Sequence, residues 1–205
     1  HTYKSSPVVG IPLLSLSDTF YIATKFNKQS TNAEVKEQLE KISISVGEYM
    51  SYTVYLSKDN NKTNQSNWIE LASGTSTLYG IKSFDISNQE IDGDYTIIVK
   101  YIVDSDKDSS LFMTCDYMDD TENIDYKTNT SFISSNGSSW SDMANLSLSG
   151  VSLKCQPNNY VYTNEITELE ITNTNPTDTG VEADLKLVNI DTNNIVSIIG
   201  FTGEY

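Results

Sequence analysis

Polar and apolar residues alternate one for one along several stretches of this chain, which is the two-residue period of a half-buried β-strand. In KISISV (41–46) the alternation puts Ile42, Ile44 and Val46 on one face. In YTVYLS (52–57) it separates Tyr52, Val54 and Leu56 from Thr53 and Tyr55. FYIATKF (20–26), WIELASG (68–74) and LYGIKSFDIS (78–87) read as further strands, and YTIIVKYIV (95–103) is apolar on both faces, as in a central strand covered on each side. LFMTCDY (111–117), FIS (132–134) and VSLKC (151–155) follow, and Asn136-Gly137 between short extended runs predicts a tight hairpin. The segment TNAEVKEQL (31–39), with Thr31 and Asn32 as caps, is the one candidate helical turn. KDNNKTNQSN (58–67) reads as a polar loop and NQEIDGD (88–94) as a turn.

These elements divide the chain in three. Residues 1–19 form an irregular lead-in broken by Pro7, Gly10 and Pro12, and residues 20–156 hold enough strands for an antiparallel β-sandwich. After Gln156 the texture changes, and ITELEIT, VEADLKLVNI and IVSIIG supply too few strands to close a second sandwich. Residues 157–205 are therefore expected to be a partial immunoglobulin-like β unit or a β extension packed on the main body.

Composition narrows the function. Of 205 residues, 28 are acidic and 13 basic, all of the latter lysine, for a formal net charge of −15. Such a surface repels nucleic acid and anionic membranes but suits cations, neutral glycans or plain solubility. No run of about 18 apolar residues spans a membrane. The basic and apolar regions of a signal peptide are missing, so any export signal is expected upstream of His1. His1 is also the chain's one histidine, poorly placed for Ser-His-Asp or Cys-His chemistry. A paired-carboxylate glycosidase would need a deep cleft, usually in a larger scaffold. An enzyme is not expected.

The segments ATKF, LEKISISV, YTVYLSKDN, ELASG, LYGIKSFDI, GDYTIIVKYIV and SFISSNGSSWSDM occur in an order that resembles a known family. It is the lectin-like domain that follows the papain-like catalytic domain in clostridial cell-surface cysteine peptidases. The resemblance covers about residues 14–155, and its most specific phrases are the ASG-to-YGIKSFDI connection and the SSNG-x-SW element. LFMTCDYMDD departs from the pattern. The resemblance implies a jelly-roll-like sandwich, a location on the bacterial cell surface, non-catalytic duty and, in some members, bound calcium. The full expectation is thus an all-β chain: a jelly-roll-like antiparallel β-sandwich, then the small partial Ig-like unit.

Three groups of residues carry candidate chemistry. Asp104, Asp106 and Asp108 alternate as in calcium loops, although Ser109 and Cys115 stand where an EF-hand needs Gly and Glu. Asp119 and Asp120 would join them if their strands are neighbours, with calcium as the candidate cofactor and a solvated polar loop as the plainer reading. Trp68 is a candidate sugar-stacking platform, with Asn64 and Asn67 as amide partners for hydroxyls, whereas Trp140 reads as a packing residue. Cys115 and Cys155 either form a disulfide or remain two core thiols. The expected partners are wall glycan or a surface protein, with neither nucleic acid nor membrane insertion. The competing expectation is a structural adhesin or stalk segment that binds no small ligand.

Overall fold

The computed structural model describes residues 11–12, 18–30, 35–104, 106–107, 110–111, 113–117, 127–148, 151–157, 159–165, 169–173 and 183–187. Its strands are β1 (Ile11–Pro12), β2 (Thr19–Phe26), β3 (Glu37–Val46), β4 (Met50–Ser57), β5 (Ile69–Ser76), β6 (Gly80–Ile91), β7 (Tyr95–Val103) and β8 (Ser110–Leu111). They continue with β9 (Met113–Tyr117), β10 (Ser131–Ser134), β11 (Ser141–Asp142), β12 (Leu146–Leu148), β13 (Val151–Pro157), β14 (Tyr160–Glu165), β15 (Leu169–Asn173) and β16 (Ala183–Leu187).

Two antiparallel sheets make the sandwich. The larger has the order β11-β10-β2-β7-β4-β5 and the smaller the order β14-β3-β6. Neighbours in both are mostly far apart in sequence, as in a jelly roll, where successive strands cross from one sheet to the other. A three-stranded sheet β12-β13-β9 adds Leu146 and Cys155 to the same core. β15 and β16 form a separate two-stranded pair.

The core is built by the inward positions of the alternating strands. Phe20 and Ile22 of β2, Val54 and Leu56 of β4, and Ile97, Val99 and Tyr101 of β7 meet Leu39, Ile42, Ile44 and Val46 of β3 in one cluster. Phe20 and Tyr101 stack at 4.9 Å. Two polar ties cross between the sheets. The buried Tyr101 hydroxyl donates to the Ser45 carbonyl at 2.6 Å. Asn159 accepts from the Ser45 N–H at 3.1 Å and donates to Thr24 Oγ1 at 3.3 Å. Each satisfies a buried polar side chain, the Tyr101 hydroxyl or the Asn159 amide, that would cost about 1–3 kcal/mol if left unpaired.

The expected strands at 41–46, 52–57 and 95–103 are present, and β7 lies in the interior of the large sheet between β2 and β4. The expected helical turn at 31–39 is not seen in its described part: Glu37–Leu39 open β3 and pair with both β14 and β6. A β-bulge explains why that strand is hard to read. The register slips at Glu40 against both neighbours, so Leu39 and Ile42 face the same core despite their odd spacing. The slip also turns Glu37 inward, where its carboxylate accepts from Ser30 N–H at 2.6 Å and Thr163 Oγ1 at 2.9 Å. β6 extends through Ile91 into the expected turn, leaving Asp92–Asp94 as the connection to β7. Residues 160–165 complete the smaller sheet by pairing with β3.

Cys155 is buried and disulfide-bonded, and the chain's other cysteine, Cys115, lies directly opposite it in the β9–β13 register. A closed loop of about 40 residues corresponds to about 4 kcal/mol in the chain-entropy account. No described helix is long and apolar enough to cross a membrane.

Candidate binding face

The outer face of the six-stranded sheet carries a second, smaller hydrophobic cluster. Pairing sets Phe132, Ala23, Ile98 and Tyr55 in one row across β10, β2, β7 and β4. The next row holds Ser134, Tyr21, Lys100 and Thr53. Ala23, Ile98 and Phe132 are buried, and Tyr21, Tyr55, Trp68 and Trp140 pack on them while staying half-buried. Tyr21 lies between the two indoles, 6.0 Å from Trp68 and 6.4 Å from Trp140, and Tyr55 is 5.5 Å from Trp68. The indole Nε1 atoms of both tryptophans are shielded from solvent without a hydrogen-bond partner.

Two loops hold the tryptophans in place. In the first, Asp59 accepts from Ser57 Oγ at 2.6 Å, from Asn61 N–H at 3.0 Å and from Asn67 Nδ2 at 3.2 Å. These hydrogen bonds, the Ser57 one foremost, hold the Asp59 carboxyl below its ordinary range. Thr96 Oγ1 donates to Asn60 Oδ1 at 2.7 Å and ties the loop to β7. In the second loop the Ser134 hydroxyl accepts from Asn136 and Gly137 N–H, and Asn136 Oδ1 accepts from Ser138 and Ser139 N–H. Gly137 adopts φ 73°, and a Cβ there would lie 2.6 Å from Gln65 Nε2 and 3.3 Å from the Trp68 ring. Gln65 Nε2 donates to the Asn136 carbonyl at 3.1 Å, so the loops lock onto each other. Six residues separate β10 from β11, and the Asn-Gly pair bends this longer loop instead of forming a two-residue hairpin.

The sequence-predicted binding residues therefore have local work. Trp68 joins the aromatic cluster, but Asn64 Oδ1 accepts from Ser66 Oγ at 2.7 Å and Asn67 donates to Asp59. Those amide groups brace the loop that carries Trp68. Trp140 packs edge-on against Tyr21, in keeping with a packing role.

Of the predicted metal ligands, Asp104 and Asp106 are exposed, and Asp104 Oδ1 accepts from the Asp106 N–H at 3.1 Å in a local turn. Asp108, Asp119 and Asp120 lie outside the described residues. Among the described residues there is no group of three or more His, Cys, Asp or Glu side chains that could hold a metal ion.

Sequence reasoning missed the lysines of this face. Lys62 Nζ lies 3.8 Å and Lys25 Nζ 5.5 Å from the Phe132 ring centroid, and Lys100 Nζ lies 6.0 Å from that of Tyr21. Strand parity was the available signal: Tyr21, Ala23 and Lys25 alternate with core residues, as do Ile98 and Lys100.

Two antiparallel sheets packed around one apolar core make this chain a β-sandwich, and its sequence places that sandwich in the lectin-like domain family. The chain belongs to that family: the model of the lectin like domain matches residues 15–156. The fold is also similar to two solved structures. One is described as the clostridial cysteine protease Cwp84 after propeptide cleavage, with TM-score 0.53, 18% identity, and coverage of 72% of this chain and 36% of that one. The other is described as the cysteine protease and lectin-like domains of Cwp84, a surface layer associated protein of Clostridium difficile. Its TM-score is 0.53 at 21% identity, covering 72% of this chain and 32% of that one. This chain thus aligns with about a third of each. No curated protein matches.

Proposed function

We propose that this chain is the non-catalytic accessory domain of a secreted bacterial cell-surface polypeptide that also carries a cysteine peptidase. It acts by contact with wall glycan or a surface protein, and chemistry belongs to the peptidase. The supporting observation is the family match over residues 15–156, combined with likeness to two cysteine protease chains about twice as long, one of them described as holding a lectin-like domain as well. The geometry agrees with this division of labour. The interior of the sandwich is packed with apolar side chains, and the half-buried rings lie together on an outer sheet face.

A second reading, a structural stalk, draws on the β15–β16 pair that follows the family match. The two part on one experiment. Sequencing the gene around this segment, followed by a wall-association assay of the encoded polypeptide with and without residues 15–156, measures both context and contribution. A peptidase domain in the same reading frame and reduced wall association on deletion support the accessory role. Tandem immunoglobulin-like repeats with no peptidase, and association unchanged by the deletion, would establish the stalk instead.

A further inference from the structure

Three of the chain's thirteen lysines gather on the outer face of the large sheet, in a molecule of net charge −15. Among the described residues none of the three has a carboxylate within ion-pair distance. Lys36, just before β3, and Lys41 on β3, by contrast, pair with Glu90 at 3.2 Å and Asp85 at 3.5 Å. The acids near the strip are otherwise engaged or peripheral. Asp142 accepts from the Asn129 and Ala144 N–H groups, Asp59 braces its own loop, and Glu70 sits on β5 beyond Tyr55. Burial lowers the Lys62 ammonium pKa, the charge of Lys25 lowers it further, and Asp142 pulls the other way. Lys25 and Lys62 share the Phe132 ring, and the mutual repulsion of these two cations is a cost that an anionic ligand removes.

We propose that this strip binds an anionic glycan, the acidic groups of the polymer meeting Lys25, Lys62 and Lys100 and the sugar rings lying on Tyr21, Trp68 and Trp140. Geometry sets the scale. Lys25 pairs with Thr96 and Tyr21 with Lys100, so the two lysines stand four residues apart along the sheet, about 13 Å at the usual strand rise. That is the span of a short oligosaccharide with acidic groups toward both ends. The aromatic side chains between them present half-buried ring surface suited to the C–H faces of pyranoses. The two indole N–H groups are donors without a hydrogen-bond partner. An acidic peptide fits less well, because β10, β2, β7 and β4 are each paired on both sides and leave no strand edge on this face for an added chain.

The inference rests on the contact role proposed above, and the experiment separates the two. The 205-residue chain is titrated, by calorimetry and tryptophan fluorescence, with oligogalacturonate, heparin and polyglycerol phosphate as anionic polymers. Cellohexaose serves as a neutral glycan and polyglutamate as an acidic polypeptide. At least one anionic glycan polymer is expected to bind with a change in tryptophan emission, to weaken with added salt, and to exceed cellohexaose and polyglutamate in affinity. Lys25→Gln/Lys62→Gln/Lys100→Gln is expected to weaken it by about tenfold or more, and Lys36→Gln/Lys41→Gln to leave it unchanged. Lys100→Gln alone, at the open end of the strip, gives a partial loss even if the triple variant unfolds. Failure of all three anionic polymers to bind, equal binding of polyglutamate, or binding indifferent to the strip lysines overturns the proposal. Association with isolated walls that persists in the triple variant would overturn the strip while leaving the accessory role intact.

Discussion

Strand β7 has two faces, and they behave differently. Inward, Ile97, Val99 and Tyr101 are closed against the second sheet with essentially no exposure, and even the tyrosine hydroxyl is spent on the Ser45 carbonyl. Outward, the strand runs from buried Thr96 and Ile98 to half-buried Lys100 and then to Ile102, which is 44% exposed. Among the described residues, the cover on that side comes from two loops pinned by Gln65 and Asn136. One face is thus closed by a second sheet, and the other is covered by two loops. The same residue alternation builds both. What distinguishes them is whether a second sheet or a loop lies across the strand.

Substitutions graded across this divide should separate stability from binding. Ile97→Ala opens a cavity in the inner face and is expected to destabilise by about 2–5 kcal/mol, measured by urea denaturation. Tyr101→Phe removes the buried hydrogen bond to the Ser45 carbonyl and should cost about 0.5–1.5 kcal/mol by the same assay. Gly137→Ala, on the outer side, forces a side chain into φ 73° and against Gln65 and Trp68. A loss of about 1–2 kcal/mol is expected there, with an altered tryptophan emission that the two core variants lack in their folded states. If Gly137→Ala proved as damaging as Ile97→Ala, the outer loops would belong to the core and the contrast would fail.

A pH series sharpens the same contrast. Burial raises the Tyr101 and Tyr95 phenols above their ordinary value of 10.0, and Glu37 adds to the rise at Tyr95. A raised phenol pKa means the folded state keeps its proton where the unfolded chain has lost it. The stabilisation is complete below about pH 10 and is lost as pH rises above that value. Asp59 has the opposite sign: its lowered pKa stabilises the loop above the ordinary carboxylate range, and the effect fades as pH falls through the folded value. Stability measured across pH should therefore fall steeply on the alkaline side. The acid-side contribution of this exposed group should be small and should vanish in Asp59→Asn.

The inner face was largely legible in the sequence, and the outer face was not. Ile42, Ile44, Val46, Tyr52, Val54 and Leu56 announce themselves by a two-residue period, and YTIIVKYIV by having apolar residues on both faces. The opening of β3 was obscured because the bulge at Glu40 breaks that period while EVKEQ favours a helix locally. Long-range pairing overrides the local preference. Tyr160–Glu165 finds its partner in β3, more than a hundred residues earlier, and no local signal reports such a pairing. Trp68 stood out by its type. Lys25, Lys62 and Lys100 come together only once β2 and β7 are in register and the Asn-rich loop is folded back by Asp59 and Asn60.

Contact of anionic glycan with the outer face of the large sheet can be mapped residue by residue by nuclear magnetic resonance. The ¹⁵N-labelled chain would be titrated with whichever of oligogalacturonate, heparin and polyglycerol phosphate binds it. Shifts are expected at Tyr21, Lys25, Lys62 and Lys100 and at the two indole N–H signals of Trp68 and Trp140. Shifts concentrated instead on β14, β3 and β6, with both indole signals unmoved, would contradict this placement of the contact.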